Sequence, residues 1–218
     1  MDLSRNPPRR EWLIAAGLIL LALVPALAGM MRIGEIATGA AETTANSRFL
    51  RMPLPVVLHI TGALVYSIVG AFQFLPGLRL RHNAWHRFAG RYLLVPAGLT
   101  VAASGVWMTA FYDMPPSDGV ALAVSRYIVG ALMIAFIALG VAAIARRDVA
   151  AHGPWMIRAY ALAMGAGTQV LTSGPFLLIF GEPDVFWRFA QMSAGWLINA
   201  AVAEWVIARR HRPALSAT

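Results

Sequence analysis

Six long apolar runs, separated by short polar segments, make up almost the whole chain. They lie near residues 12–31, 53–75, 85–111, 120–144, 154–180 and 185–208. Each is about as long as a helix needs to cross a hydrocarbon core, which takes roughly 20 residues. Within the runs the apolar residues follow neither strand alternation nor a one-sided helical stripe, so these helices are apolar on most of their circumference, as membrane helices are. The pattern predicts an all-α, polytopic membrane bundle of about six transmembrane helices, and residues 1–218 form one transmembrane domain with no room for a soluble one. The first run, with Arg9 and Arg10 before it and Ala26-Leu27-Ala28 near its end, also has features of a cleavable signal. Because the rest of the chain is itself apolar, an uncleaved first helix is the simpler reading.

Composition agrees: 59% of the 218 residues are hydrophobic and 13% charged. All 18 basic residues are arginine, and the formal charge is +8. In a soluble domain that charge suggests nucleic acid. Here the arginines gather at the ends of the apolar runs, so membrane topology accounts for them and no nucleic-acid partner is expected. The chain has no cysteine, which excludes disulfides, thiolate metal sites, iron–sulfur clusters and cysteine nucleophiles.

In a six-span arrangement the N-terminus, the 79–91 hinge, the 146–158 segment and the C-terminus share one side and carry 13 of the 18 arginines. The positive-inside rule puts both termini in the cytoplasm, and the setting expected is a bacterial inner membrane. Pro96 inside the third span leaves the Tyr92 carbonyl without its helical partner and predicts a kink.

Two short matches suggest an internal repeat. His59-Ile60-Thr61-Gly62-Ala63-Leu64 parallels Tyr127-Ile128-Val129-Gly130-Ala131-Leu132, and His82-Asn83-Ala84-Trp85 parallels His152-Gly153-Pro154-Trp155. Spans 2–3 and 4–5 are then two similar, parallel hairpins.

Polar residues inside the spans are the candidates for chemistry, since ionisable groups in hydrocarbon are costly. His59 lies six residues into span 2, roughly 9 Å along a helix; it is a candidate haem or metal ligand or proton-relay group, or a histidine bonded to the next helix. Arg126 in span 4 is an anion clamp or the partner of Asp113, Asp118, Glu182 or Asp184. Gln169, Thr172 and Ser173 of span 5 and Arg188, Gln191, Gly195 and Asn199 of span 6 offer polar faces to the bundle. At the cytoplasmic ends, His82, His86 and His152 are candidate ligands for a transition metal, or interfacial residues beside Trp85 and Trp155. Asn83 suits a helix N-cap, and Gly153-Pro154 suits a cap and first turn. Paired histidines deep in facing helices, phosphate-binding glycine loops and a hydrolase triad are absent from the sequence.

His59-Ile60 with Gly62, Gln73-Phe74, Leu78-Arg79, His86-Arg87 with Gly90-Arg91 and Tyr92, and His152 with Trp155-Met156-Ile157-Arg158 and Tyr160 resemble the signature of a bacterial membrane family, domain of unknown function 2306. The resemblance covers about residues 50–205. The second half departs from it at Gly153-Pro154, where a basic residue is expected. The resemblance implies that His59, His86, His152, Arg91 and Arg158 occupy motif positions; it implies no activity.

Three readings follow. The first is a redox or assembly module holding haem b or a transition metal through histidines, beside respiratory-chain or other membrane proteins. The second is a transporter or carrier of a small or lipid-like anion using Arg126 and the polar faces of spans 5 and 6. The third is a structural subunit without a ligand. Histidines at motif positions rank the first narrowly ahead, and whether the protein is an enzyme is left open.

Overall fold

The computed structural model describes residues 9–211, with side chains from residue 11 to residue 210. Arg5 and Arg212, which contribute to the arginine count of the two termini, lie outside the described residues, as does the side chain of His211.

Among the described residues ten α-helices follow one another. The first, α1 (Arg9–Thr38), runs past the expected end at Met31 and shortens the following loop. A short α2 (Ser47–Arg51) leads into α3 (Pro53–Gln73), where proline stands at the start, as its fixed φ and missing N–H favour. The arginine-rich hinge is itself helical: α4 (Pro76–Arg81) and α5 (Asn83–Phe88) meet at His82, whose backbone leaves the helical region. His82, rather than Asn83, occupies the cap position of α5, and no side chain caps that helix. The Gly77 N–H donates to the Glu11 carboxylate at 2.8 Å, which ties the start of α1 to the hinge.

The kink expected at Pro96 takes the form of a π-helical turn, Ala89–Leu94, ahead of α6 (Val95–Phe111). The Val95 N–H bonds to the Gly90 carbonyl, one residue further back than in an α-helix. This widened turn shifts the hydrogen-bond register just before a residue that has no N–H to give. A 3-10 turn, Pro116–Asp118, opens α7 (Gly119–Ala145). The next helix, α8 (Val149–Ala163), starts earlier than Gly153-Pro154 suggests. Asp148 caps it by accepting the Ala151 N–H at 2.9 Å, and Pro154 lies inside it. Pro154 is past the first turn and has no N–H to give, so the Ala150 carbonyl lacks its helical partner. Met164 separates α8 from α9 (Gly165–Phe180), and α10 (Val185–His211) completes the order.

Among the described residues five helical stretches are long and apolar enough to cross a membrane: Glu11–Thr38, Pro53–Gln73, Asn83–Phe111, Pro116–Ala145 and Val149–Phe180. At 27 residues α10 equals α7 in length but falls outside that set. Gln191, Asn199 and Glu204 dilute its apolar residues, so a sixth span rests on its length and its packing against α7, α8 and α9.

The two hairpins of the suggested repeat are α3 with α6 and α7 with α8, and α6 also packs on α7. Their matched glycines both meet α6. A Cβ on Gly62 would lie 3.1 Å from the Ala97 carbonyl, and one on Gly130 would lie 2.6 Å from Val106 Cγ2. Small residues at such contacts let membrane helices approach closely. Tyr160 of α8 closes the bundle by donating its hydroxyl to the Ser67 carbonyl of α3 at 2.7 Å. Its ring lies 5.7 Å from that of Tyr66 and 4.9 Å from that of Phe74. Tyr66, Met133, Ile137 and Ala159 form the buried centre around it.

Candidate functional site

Asp118 ends the 3-10 turn that leads into α7, and its side chain is only 4% exposed. A carboxylate buried to that degree needs a cationic partner. It has two. Arg126, two turns along α7, donates Nη2–H to Oδ2 at 2.7 Å, and Arg188 in the first turn of α10 donates Nε–H to Oδ1 at 2.9 Å. Of the four acids open to Arg126 in the sequence, Asp118 is the one that takes it. The second amino nitrogen of Arg126, Nη1, is buried and has no hydrogen-bond partner among the described residues.

These groups stand at one end of a cavity of about 330 Å³. Arg48 and Phe49 of α2 contribute to the same end, with Tyr112 and the Met114–Pro115 turn beside them. Further in, the walls are apolar: Val101, Val129, Met133, Leu162, Met192 and Trp196. The charged side chains of the lining are Arg48, Arg126 and Arg188 against Asp118 alone. Arg48 lies within electrostatic reach of the other three. Burial pulls its pKa below the usual guanidinium value; Asp118 opposes the shift, while Arg32, Arg126 and Arg188 add to it. Five arginines lie on the arginine-poor side of the six-span arrangement, and three of them converge on this cavity. Arg48 was not legible as a site residue, because the 32–52 segment reads as a loop. The scarcity of arginine on that side is the signal that points to it.

His59 of α3 is half-buried and lines the inner part of the cavity. Its Nδ1 lies 3.0 Å from the Val101 carbonyl and 3.1 Å from Ser104 Oγ. A carbonyl only accepts, so Nδ1 carries a proton and donates it. The ring's other nitrogen, Nε2, has no hydrogen-bond partner among the described residues. His59 also lines a second, smaller cavity of about 150 Å³ beneath α1.

The polar faces of α9 and α10 satisfy each other in part, while Gln191 Nε2, Ser193 Oγ and Asn199 Nδ2 are buried without a partner among the described residues. Gln169 Nε2–H donates to the Met192 carbonyl at 3.0 Å, the Thr172 hydroxyl to the Gln191 carbonyl at 2.9 Å, and the Thr168 hydroxyl to Asn199 Oδ1 at 2.9 Å. Gln169 still reaches the cavity wall. Ser173 Oγ is buried without a partner and does not line the cavity.

The remaining candidates lie elsewhere. His152 Nδ1–H donates to the Gly140 carbonyl at 2.9 Å, which joins α8 to α7 as His59 joins α3 to α6. His86 is half-buried, its Nδ1 has no partner among the described residues, and it is near enough to His152 and Arg79 to feel their charge. His82 is exposed. Among the described residues no group of three or more His, Asp or Glu side chains is placed to hold a metal ion. The His82, His86 and His152 set is therefore not assembled here: His82 sits on the solvent side of the break between α4 and α5, and His152 is turned to a backbone carbonyl. Arg91 is exposed and its guanidinium lies 5.8 Å from the Tyr92 ring. Arg158 makes a two-pronged pair with Glu204 of α10, with Nη2 to Oε2 at 2.8 Å, and lies over the Trp155 ring. It holds α8 to α10 and is outside both cavities.

Helices that are apolar on most sides, a core closed by small residues and tyrosines, and a charged cavity inside the bundle define a polytopic α-helical membrane protein. Residues 56–207 match the family described as predicted membrane protein (DUF2306), and the chain belongs to that family. Compared with curated proteins and with solved structures, the chain has no match.

Proposed function

We propose that this protein binds an organic anion within the membrane, as a carrier or transporter does, and that Arg126 and Arg188, with Arg48 at the rim, hold the anionic group. One observation carries the reading. Arg126 Nη1 is buried without an acceptor, and Arg126 lines a cavity whose charged lining is three arginines and one aspartate. A buried N–H without a partner costs about 1–3 kcal/mol, and a carboxylate or phosphate oxygen removes that cost while balancing the charge. Guanidinium groups suit both anions because they donate in a planar fork. The size and mostly apolar walls are those of ligand pockets in general.

The setting belongs to the same reading: a bacterial inner membrane, a lipid bilayer as surroundings, and both termini in the cytoplasm, as the arginine distribution supports. The cavity's charged end then faces away from the cytoplasm. Binding is tested by the thermal stabilisation of purified protein on adding organic anions, since a ligand of the native state raises stability. Stabilisation by carboxylates or alkyl phosphates that is lost in Arg126→Gln is expected; no stabilisation by any anion sinks the reading.

A second reading, a module for haem b or a transition metal centred on His59, is favoured by one feature. The Nδ1–H of His59 is held by a backbone carbonyl, as the second nitrogen of metal-ligating imidazoles is held. A visible spectrum of the oxidised and reduced protein, with metal analysis of the same sample, tests it; a colourless, metal-free and well-folded sample sinks it.

A further inference from the structure

His59 stands between the larger cavity and the smaller one. The imidazole, Val101, Ala163 and Ala166 line both cavities, so these four side chains are a shared wall. Beyond them, the smaller cavity is bounded by Ala22, Pro25 and Ala26 of α1 and by Ala63 and Leu64 of α3, with Tyr66 and Ser67 bringing hydroxyl groups. Apolar cavities of this kind stay dry and accept apolar groups. The two spaces thus lie on either side of one wall: a cavity with a cluster of three arginines and a mostly apolar interior, and a mostly apolar chamber under α1.

A wholly polar ion would use only the arginine end. We propose that one ligand occupies both cavities: a single-chain amphiphile with a carboxylate or phosphate head at Arg126 and Arg188 and an apolar chain that passes His59 into the chamber beneath α1. This rests on the anion-binding reading above and names its ligand class. His59 is then a positioning residue at the junction, its ring fixed by Val101 so that the passage keeps its shape. The small side chains Ala26 and Ala63 leave the chamber open.

The test is equilibrium binding of radiolabelled acetate, hexanoate, octanoate, decanoate and decyl phosphate to the purified full chain in amphipol, with decanol as the headless control. Wild-type affinity is expected to rise with chain length by up to about fourfold per methylene, and decanol is expected to bind at least tenfold more weakly than decanoate. Ala26→Phe and Ala63→Phe fill the chamber from two different helices, so one remains informative if the other fails to fold. Each is expected to flatten the dependence beyond the shorter chains while hexanoate binds as in wild type. A full chain-length dependence in both folded variants overturns the proposal. So does acetate binding as tightly as decanoate, which leaves the anion site itself standing. Binding of decanol as tight as that of decanoate, or no binding of any anion by folded protein, overturns the anion-binding reading and this proposal with it.

Discussion

Arg188 donates its Nε–H to Asp118 at 2.9 Å across 70 positions of sequence, and the same carboxylate holds Arg126 at 2.7 Å. A single acid therefore ties the start of α7 to the start of α10 and fixes two arginines at the cavity's charged end. The arrangement is a clasp and, in the proposed reading, also the site. The carboxylate offsets one positive charge, and the rest is available to a ligand.

Asp118→Asn leaves both arginines facing each other without a counter-charge. The variant is expected to lose about 3 kcal/mol of stability, the usual cost of removing one partner from a buried ion pair. Asp118→Asn combined with Arg188→Met should recover part of that loss, because one of the orphaned charges is gone. Thermal unfolding of the three proteins in one detergent checks this; a double variant less stable than the single one refutes it.

Arg126→Gln keeps Asp118 paired to Arg188 and removes the unpartnered guanidinium nitrogen. Affinity for an organic carboxylate is expected to fall at least about tenfold, or 1.4 kcal/mol. Arg158→Gln is the control. Its pair with Glu204, whose side chain is 55% exposed, is worth less than about 1 kcal/mol, and anion binding should not change.

His59→Ala breaks the bond from Nδ1 to Val101 and enlarges the shared wall. A loss of about 1–3 kcal/mol in stability is expected, a hydrogen bond plus unfilled volume. If purified protein carries an absorbing cofactor at this residue, the same substitution abolishes the band, and an unchanged spectrum removes His59 from the list of ligands.

A Cβ on Gly167 would fall 2.3 Å from the Leu21 carbonyl oxygen, a backbone atom that cannot rotate away. Gly167→Ala is therefore expected to push α1 off α9 and cost about 2 kcal/mol, in the range of overpacked cores. Gly34→Ala, in α1 with nothing within 4 Å, should instead be neutral or stabilising by up to about 1 kcal/mol. The contrast in sign, read from thermal unfolding, separates a packing effect from a general effect of replacing a helical glycine.

Much of the site was legible one residue at a time. Arg126, His59, Gln169 and Arg188 stand out because polar residues are rare in apolar runs, and the structure brings all four to one cavity. Arg48 was missed because a loop arginine carries no such contrast. His86 and His152 do come near each other at the other end of the bundle, yet His82 does not join them. Sequence spacing gives depth along a helix but not the rotation of each helix about its axis, and metal coordination depends on that rotation.

The sequence by itself determined the class of protein, because twenty-residue apolar runs have one economical solution in a bilayer and every backbone group must then be satisfied within its own helix. It also placed the turns near residues 115–119 and 181–184, through proline and glycine there. Which acid Arg126 pairs with, that Arg158 serves α10 rather than a ligand, that Met164 divides the fifth span, and that α1 leaves a chamber beside His59 were decided only by tertiary packing. Those outcomes depend on how side chains from distant segments fill space against one another, and apolar helices of nearly uniform composition carry almost no sequence pattern that specifies their mutual rotation.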